Sequence, residues 1–269
     1  MDEEVGGLLR QFLEGVRATL GAQFVGAYLF GSLACGGFDR DSDIDVLVVT
    51  EDEVSTGQFS SLRAMHERIA SSGSHWATQL EVSYIPRRAL RRHDPSNATH
   101  PHIDRGAGER LQSARHDSDW VVQRHTLRER GVTLAGPAPD TLIAPVTPED
   151  LRRAMLDLLW WPAEILEEPA RISRRGYQSY MVLTMCRVLY TLERGEVVSK
   201  RDAARWASRR LGERWTPLIE RAWEGRRNPR AKASEEEIEE TLGLIRHTIE
   251  RARSFDAGGV GPESSREVE

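Results

Sequence analysis

The chain has 269 residues, of which 39% are hydrophobic and 29% charged, with a formal net charge of -5. That length favours two domains. No stretch reaches the ~18 apolar residues of a membrane helix, Cys35 and Cys186 are too few for a disulfide scaffold, and a mildly acidic chain is a poor partner for a phosphate backbone. The first 20 residues carry Asp2, Glu3 and Glu4 and do not read as a signal peptide, so a cytoplasmic protein is expected. Positive charge is almost all arginine, with Lys200 and Lys232 as the two lysines.

Val5, Leu8, Leu9, Phe12, Leu13, Val16 and Leu20 share one helical face, which predicts a helix over 3–20 stopped near Gly21. The run FVGAYLFGS reads as a strand ending at Gly31-Ser32. The run SDIDVLVVT reads as a second strand, apolar on both faces beyond Asp45. GQFSSLRAMHERIASSG predicts a helix, and TQLEVSYIP a third strand closed by Pro86. Residues 86–116 read as loop, a helix follows over 119–130, and the proline-rich stretch GPAPDTLIAPVTPED reads as a linker. From Thr147 the periodicity is helical: a start at Thr147-Pro148, a strongly apolar helix ending near Gly195, a helix capped by Ser199, a short helix from Trp215 to Trp223, and a Ser234/Glu237 capping box. The expected architecture is α+β. Residues 1–140 form a mixed sheet with flanking helices, residues 147–254 an all-α bundle, and residues 255–269 a disordered tail.

The chemistry concentrates in LFGSLACGGFDRDSDIDVLVV. Side chains alternate along a strand, so Asp43 and Asp45 share a face about 6–7 Å apart. Two carboxylates that close raise each other's pKa, and divalent cations remove that cost; hard oxygen donors beside a phosphate substrate point to Mg²⁺. Gly31 lets a triphosphate approach the backbone, and Ser32 offers a hydroxyl and an amide. If the third strand neighbours the second, Glu81 joins the two aspartates and either completes a metal site or takes a proton from a hydroxyl. His100, His102 and Asp104 form a His-x-His-x-Asp string without a second ligand cluster, His116 precedes a helix, and Trp160-Trp161 are expected to pack a domain junction. Cys35 lies between Ser32 and Asp43 but lacks the partners of a thiol nucleophile.

Gly31-Ser32 followed by Asp43-x-Asp45 resembles the nucleotidyltransferase superfamily, with its DNA polymerase β-like catalytic fold. VLTMCRVLYTLERGEVVSKRDAARWA, with Arg187, Tyr190, Ser199-Lys200 and Trp206, resembles the helical domain of the aminoglycoside (3'')(9) adenylyltransferases. The resemblance implies transfer of AMP from ATP to a hydroxyl of a small molecule, an aminoglycoside or aminocyclitol, with Mg²⁺. It implies that Ser32, Asp43 and Asp45 hold the triphosphate and metal, that Glu81 is the catalytic base, and that Arg187 and Lys200 reach the nucleotide phosphates. Streptomycin-modifying members carry acids where Ser173 and Tyr177 stand here, and a tryptophan in the loop after the Glu81 strand that this chain lacks. Asp104, Asp117 and Asp119 are candidate substitutes, though they read more simply as surface or capping residues. Adenylylation of a protein partner and non-catalytic nucleotide binding are the alternatives; intact Asp43, Asp45 and Glu81 argue against the second, because a binder needs no base.

Overall fold

The computed structural model describes residues 3–34, 38, 40 and 42–256. They divide into two compact units, one ending at Val146 and one starting at Thr147.

The first unit runs α1 (Glu3–Leu20), β1 (Phe24–Leu29), a single helical turn α2 (Gly31–Ala34), β2 (Ile44–Thr50), α3 (Thr56–Ala70), β3 (Leu80–Pro86), α4 (Arg87–Leu90), β4 (Thr99–Ile103), β5 (Gln112–Arg115), α5 (Asp119–Arg130), β6 (Val132–Ala135) and α6 (Pro139–Leu142). The strands form one mixed sheet of order β5-β4-β3-β2-β1-β6. β2 and β3 are parallel. β1 is antiparallel to both of its neighbours, and β4 is antiparallel to β3 and to β5.

Period-two alternation sorts the strands between two cores. Leu29, Val46, Val48, Val82 and Tyr84 meet the apolar faces of α1 and α3, including Val5, Phe12, Leu62 and Met65. Tyr28, Phe30, Leu47, Val49 and Ile85 face the other way, onto Leu90, Trp120, Leu127, Leu142 and Ile143. β2 is therefore covered on both sides, as its unbroken apolar run requires. On the first side a buried hydrogen bond of 2.8 Å joins His66 Nε2 to the Tyr84 hydroxyl. α3 is opened by a capping box between Ser55 and Gln58.

Two stretches differ from the sequence reading. Residues 86–116 contain α4, β4 and β5 rather than loop alone. The proline-rich stretch is docked: Leu142, Ile143 and Ala144 are buried, the Ala144 amide donates to the Arg91 carbonyl at 2.9 Å, and Arg128 reaches the Ile143 carbonyl at 2.6 Å. Buried apolar side chains and satisfied backbone groups bind it to the first unit, which a proline count does not register.

The second unit consists of α7 (Pro148–Asp157), α8 (Trp160–Glu167), α9 (Arg175–Arg194), α10 (Lys200–Arg210), α11 (Thr216–Gly225) and α12 (Glu235–Asp256). Thr147 and Asp150 cap α7 reciprocally. α9 is the central helix and touches α7, α10, α11 and α12. Met181, Val182, Leu183, Met185, Cys186, Val188, Leu189 and Leu192 are all buried, so it is apolar on most of its circumference. It ends at Gly195 in the left-handed region, φ 67°. α12 runs through Asp256; the rest of the expected tail lies outside the described residues, as does Cys35. Among the described residues, no helix is long and apolar enough to cross a membrane.

Candidate active site

The parallel pairing of β2 and β3 sets Asp45 directly beside Glu81. Each is the second residue of its strand and points to the α5 side of the sheet, the side of Leu47, Val49 and Ile85. Asp43 stands one residue ahead of β2. Carboxylate oxygens of Asp43, Asp45 and Glu81 lie within 4.8 Å of one another, and all three residues are partly buried. At an effective dielectric near 20, each ionised pair at that spacing repels by on the order of 3 kcal/mol. Full ionisation is therefore costly without a cation. Glu81 shows it: burial first, then Asp45, Asp43 and Asp104, push its pKa up to about 9, with Arg105 opposing.

The end of β1 closes the site. The Phe30 amide donates to the Asp45 carbonyl at 3.1 Å, which sets Gly31 against the acids. Gly31 has φ +63°, and a Cβ built there would collide with the Asp45 carboxylate. Glycine is thus demanded twice, by backbone conformation and by space. Gly31 and Ser32 open α2 rather than closing the strand. The Ser32 hydroxyl oxygen is buried and has no hydrogen-bond partner among the described residues. An unpaired buried hydroxyl costs about 1–3 kcal/mol.

The donor set fits a divalent cation. Three hard carboxylate oxygens converge from two backbone elements, matching oxygen-ligated Mg²⁺. A cation on Asp43 and Asp45 would also remove two of the charges that hold a proton on Glu81.

In the second unit, Arg187 lies on the same stripe of α9 as Tyr180, which is exposed, and Thr184, which like Arg187 is partly buried. Lys200, the first residue of α10, meets that stripe, with its Nζ 5.4 Å from the centre of the Tyr180 ring. Both cations therefore belong to one side of the helical unit.

Residues 141–251 match the C-terminal domain of the aminoglycoside adenylyltransferases, and residues 9–100 match the nucleotidyltransferase domain. A spectinomycin 9-adenylyltransferase from Staphylococcus aureus is 30% identical over 226 residues, covering 81% of this chain and 83% of the relative. The chain belongs to this adenylyltransferase family. An aminoglycoside (3'')(9) adenylyltransferase from Escherichia coli is 28% identical over 257 residues, covering 91% of this chain and 95% of its own. The fold agrees with the crystal structure of spectinomycin adenyltransferase AAD(9) from Enterococcus faecialis with ATP and spectinomycin. The TM-score is 0.70 at 18% identity, over 92% of this chain and 98% of that one.

The remaining sequence candidates are placed as follows in this family member. The His-x-His-x-Asp string forms no ligand set: among the described residues, Asp43, Asp45 and Glu81 are the group whose donor atoms converge. His102 Nδ1 instead shares a hydrogen bond of 2.8 Å with the Ser83 hydroxyl. His100 is buried with its ring 5.2 Å from that of His116, and His116 stacks on Trp120 at 3.9 Å. Burial, then the surrounding histidines and Arg124, lower the pKa of His116 to about 2, so it is a neutral core ring. Asp117 is paired with Arg115 at 2.9 Å. Burial, then Asp117, raise the pKa of Asp119 to about 6. Trp160 is 53% exposed, while Trp161 packs edge-on against Tyr177 and Tyr180. Cys186 is a buried free thiol whose pKa burial pushes up to about 12, which makes it inert.

Sequence reasoning missed Arg105. It follows β4 in a segment read as loop, and its guanidinium lies 3.3 Å from the Asp43 carboxylate. Arg-Asp pairing between positions so far apart in the chain has no local signal.

Proposed function

We propose that this chain adenylylates a hydroxyl of an aminocyclitol or aminoglycoside, using ATP and Mg²⁺, in the cytoplasm. The observation that carries the reading is the convergence of Asp43, Asp45 and Glu81 beside Gly31 and the unpaired Ser32 hydroxyl. Spectinomycin is the first acceptor to try, because spectinomycin 9-adenylyltransferases are among the relatives. A streptomycin-type polycation fits less well, since Ser173 and Tyr177 offer no charge.

Each residue has a physical task. Gly31 keeps a side chain out of the space beside Asp45, and the Ser32 hydroxyl donates to a phosphate oxygen. Asp43 and Asp45 would hold Mg²⁺. When bound, the metal offsets charge on the phosphates and on the departing pyrophosphate. Glu81 accepts the acceptor's proton as the new O–Pα bond forms and the bond from Pα to pyrophosphate breaks, in line. Arg187 and Lys200 supply two cations for the phosphate charge that remains.

The test is pyrophosphate release with ATP, Mg²⁺ and a panel of spectinomycin, streptomycin and neutral amino-alcohols. Release that depends on the acceptor, and falls to less than a tenth in Asp43→Asn, is expected, because loss of metal-borne charge stabilisation costs several kcal/mol. A variant that keeps wild-type release would end the reading.

A further inference from the structure

We propose that Arg105 is a phosphate-positioning residue that sits in the cation place on Asp43 until metal and nucleotide arrive, and then turns to the triphosphate. The inference rests on the reading that Asp43, Asp45 and Glu81 receive Mg·ATP.

Its backbone is fixed close to the acids. The Gly106 amide donates to the Thr78 carbonyl at 2.7 Å, just ahead of β3, where Glu81 begins. The Arg105 amide donates to Asp104 Oδ1 at 2.7 Å. Gly106 has φ +138°, a turn that a side-chain-bearing residue rarely adopts, so the anchor is built into the loop. From this fixed base the side chain is 43% exposed and so borders solvent on one side, while its partner Asp43 is only 23% exposed.

The charges dictate two positions. Asp43, one of the three convergent carboxylates, holds this guanidinium, with its Nη1 3.3 Å from Asp43 Oδ2. That carboxylate belongs to the ligand set. A divalent cation bound to it would stand within a few ångströms of the guanidinium, and the two cations repel. Metal entry therefore releases Arg105. The anion that arrives with the metal is the triphosphate, and the planar fork of a guanidinium matches paired phosphate oxygens. Arg105 thus opposes metal alone and favours metal with nucleotide, so the two bind as a pair.

This gives opposite signs in one variant. Mn²⁺, a spectroscopically visible substitute for Mg²⁺, is titrated into full-length wild type and Arg105→Gln, first alone and then with a non-hydrolysable ATP analogue. Arg105→Gln is expected to bind Mn²⁺ alone several-fold more tightly, because a competing cation is gone. It is expected to bind the Mn²⁺-analogue complex about tenfold more weakly, because a charge-assisted phosphate contact is gone. Arg105→Lys keeps the charge but loses the fork: its affinity for Mn²⁺ alone should stay near wild type while the analogue weakens. Both affinities unchanged in Arg105→Gln would make the contact a surface ion pair and overturn the proposal. Both weakened would make Arg105 a support for Asp43, and overturn it equally. Wild type that takes up neither Mn²⁺ nor analogue would remove the metal-nucleotide reading of the triad as well, which separates the two failures.

Discussion

Gly31→Ala is the sharpest perturbation of the site, because its effect can be worked from two independent quantities. The first is backbone strain. Gly31 has φ +63°, and a residue with a Cβ in that region costs about 1–2 kcal/mol. For a unit of this size that lowers the melting temperature by roughly 2–8 °C. The second is displacement. An added Cβ would stand 2.6 Å from the Asp45 carboxyl carbon, while an ordinary carbon–carbon contact needs about 3.5 Å or more. Asp45 or the Gly31 backbone must therefore shift by about 1 Å, and a shift of that size in a reacting constellation costs on the order of 10²-fold. Gly21→Ala is the control. Gly21 lies at the opposite end of β1 with φ +54° and nothing within 4 Å of a built Cβ. It should lose similar stability and no turnover. Thermal unfolding reads the first effect, and pyrophosphate release at saturating ATP and spectinomycin reads the second. Gly31→Ala with more than a third of wild-type turnover would refute the reasoning, as would equal losses of turnover in the two variants.

Three other perturbations separate roles within the chain. Glu81→Gln should keep Mg·ATP affinity near wild type while turnover falls roughly 10²–10⁴-fold, the usual worth of a general base; a matching drop in nucleotide affinity would instead make Glu81 a metal ligand, and normal turnover would remove it from the site. Arg187→Ala should weaken ATP by about tenfold, because Arg187 shares the side of the helical unit where Lys200 meets Tyr180; calorimetry showing unchanged ATP affinity would exclude a phosphate role. His66 is held neutral by burial, which lowers its pKa to about 4. A depressed pKa gives stability that is complete above the unfolded value near 6.5 and is lost as pH falls toward 4, roughly 3 kcal/mol here. His66→Gln should make the fall of unfolding free energy between pH 6.5 and 4 shallower by about one proton's worth, and an unchanged slope in urea titrations across that range would contradict it.

What the sequence disclosed about the site follows from how each residue is tied to it. Asp43 and Asp45 were legible because a two-residue period fixes their side of a strand, and Gly31-Ser32 because a glycine before a hydroxyl at a strand end has a direct physical use. Glu81 was legible only conditionally. Its meeting with Asp45 depends on parallel pairing of β2 and β3, a long-range fact that local alternation in QLEVSYI does not contain. β4 and β5 were hidden by composition. THPHI places buried His100 where an aliphatic residue would reveal the alternation, and Pro101 reads as a breaker although it sits within the ladder opposite Ser113. QSAR lies on the sheet edge and is mostly exposed, so nothing forces an apolar pattern on it.

Losing that hairpin meant losing Arg105, which its turn delivers to Asp43. The two kinds of residue answer to different constraints. Asp43 with Asp45, and Gly31 with Ser32, act together with close neighbours in the chain, so their spacing leaves a motif. A cation that balances the charge of such a cluster needs only to arrive within about 4 Å from any direction, because Coulomb attraction is not tied to one geometry. Its sequence context is therefore free. The electrostatic demand is visible before the residue is: three converging carboxylates call for positive charge from elsewhere in the fold, and Arg105 is a side chain that this fold brings to one of them, Asp43.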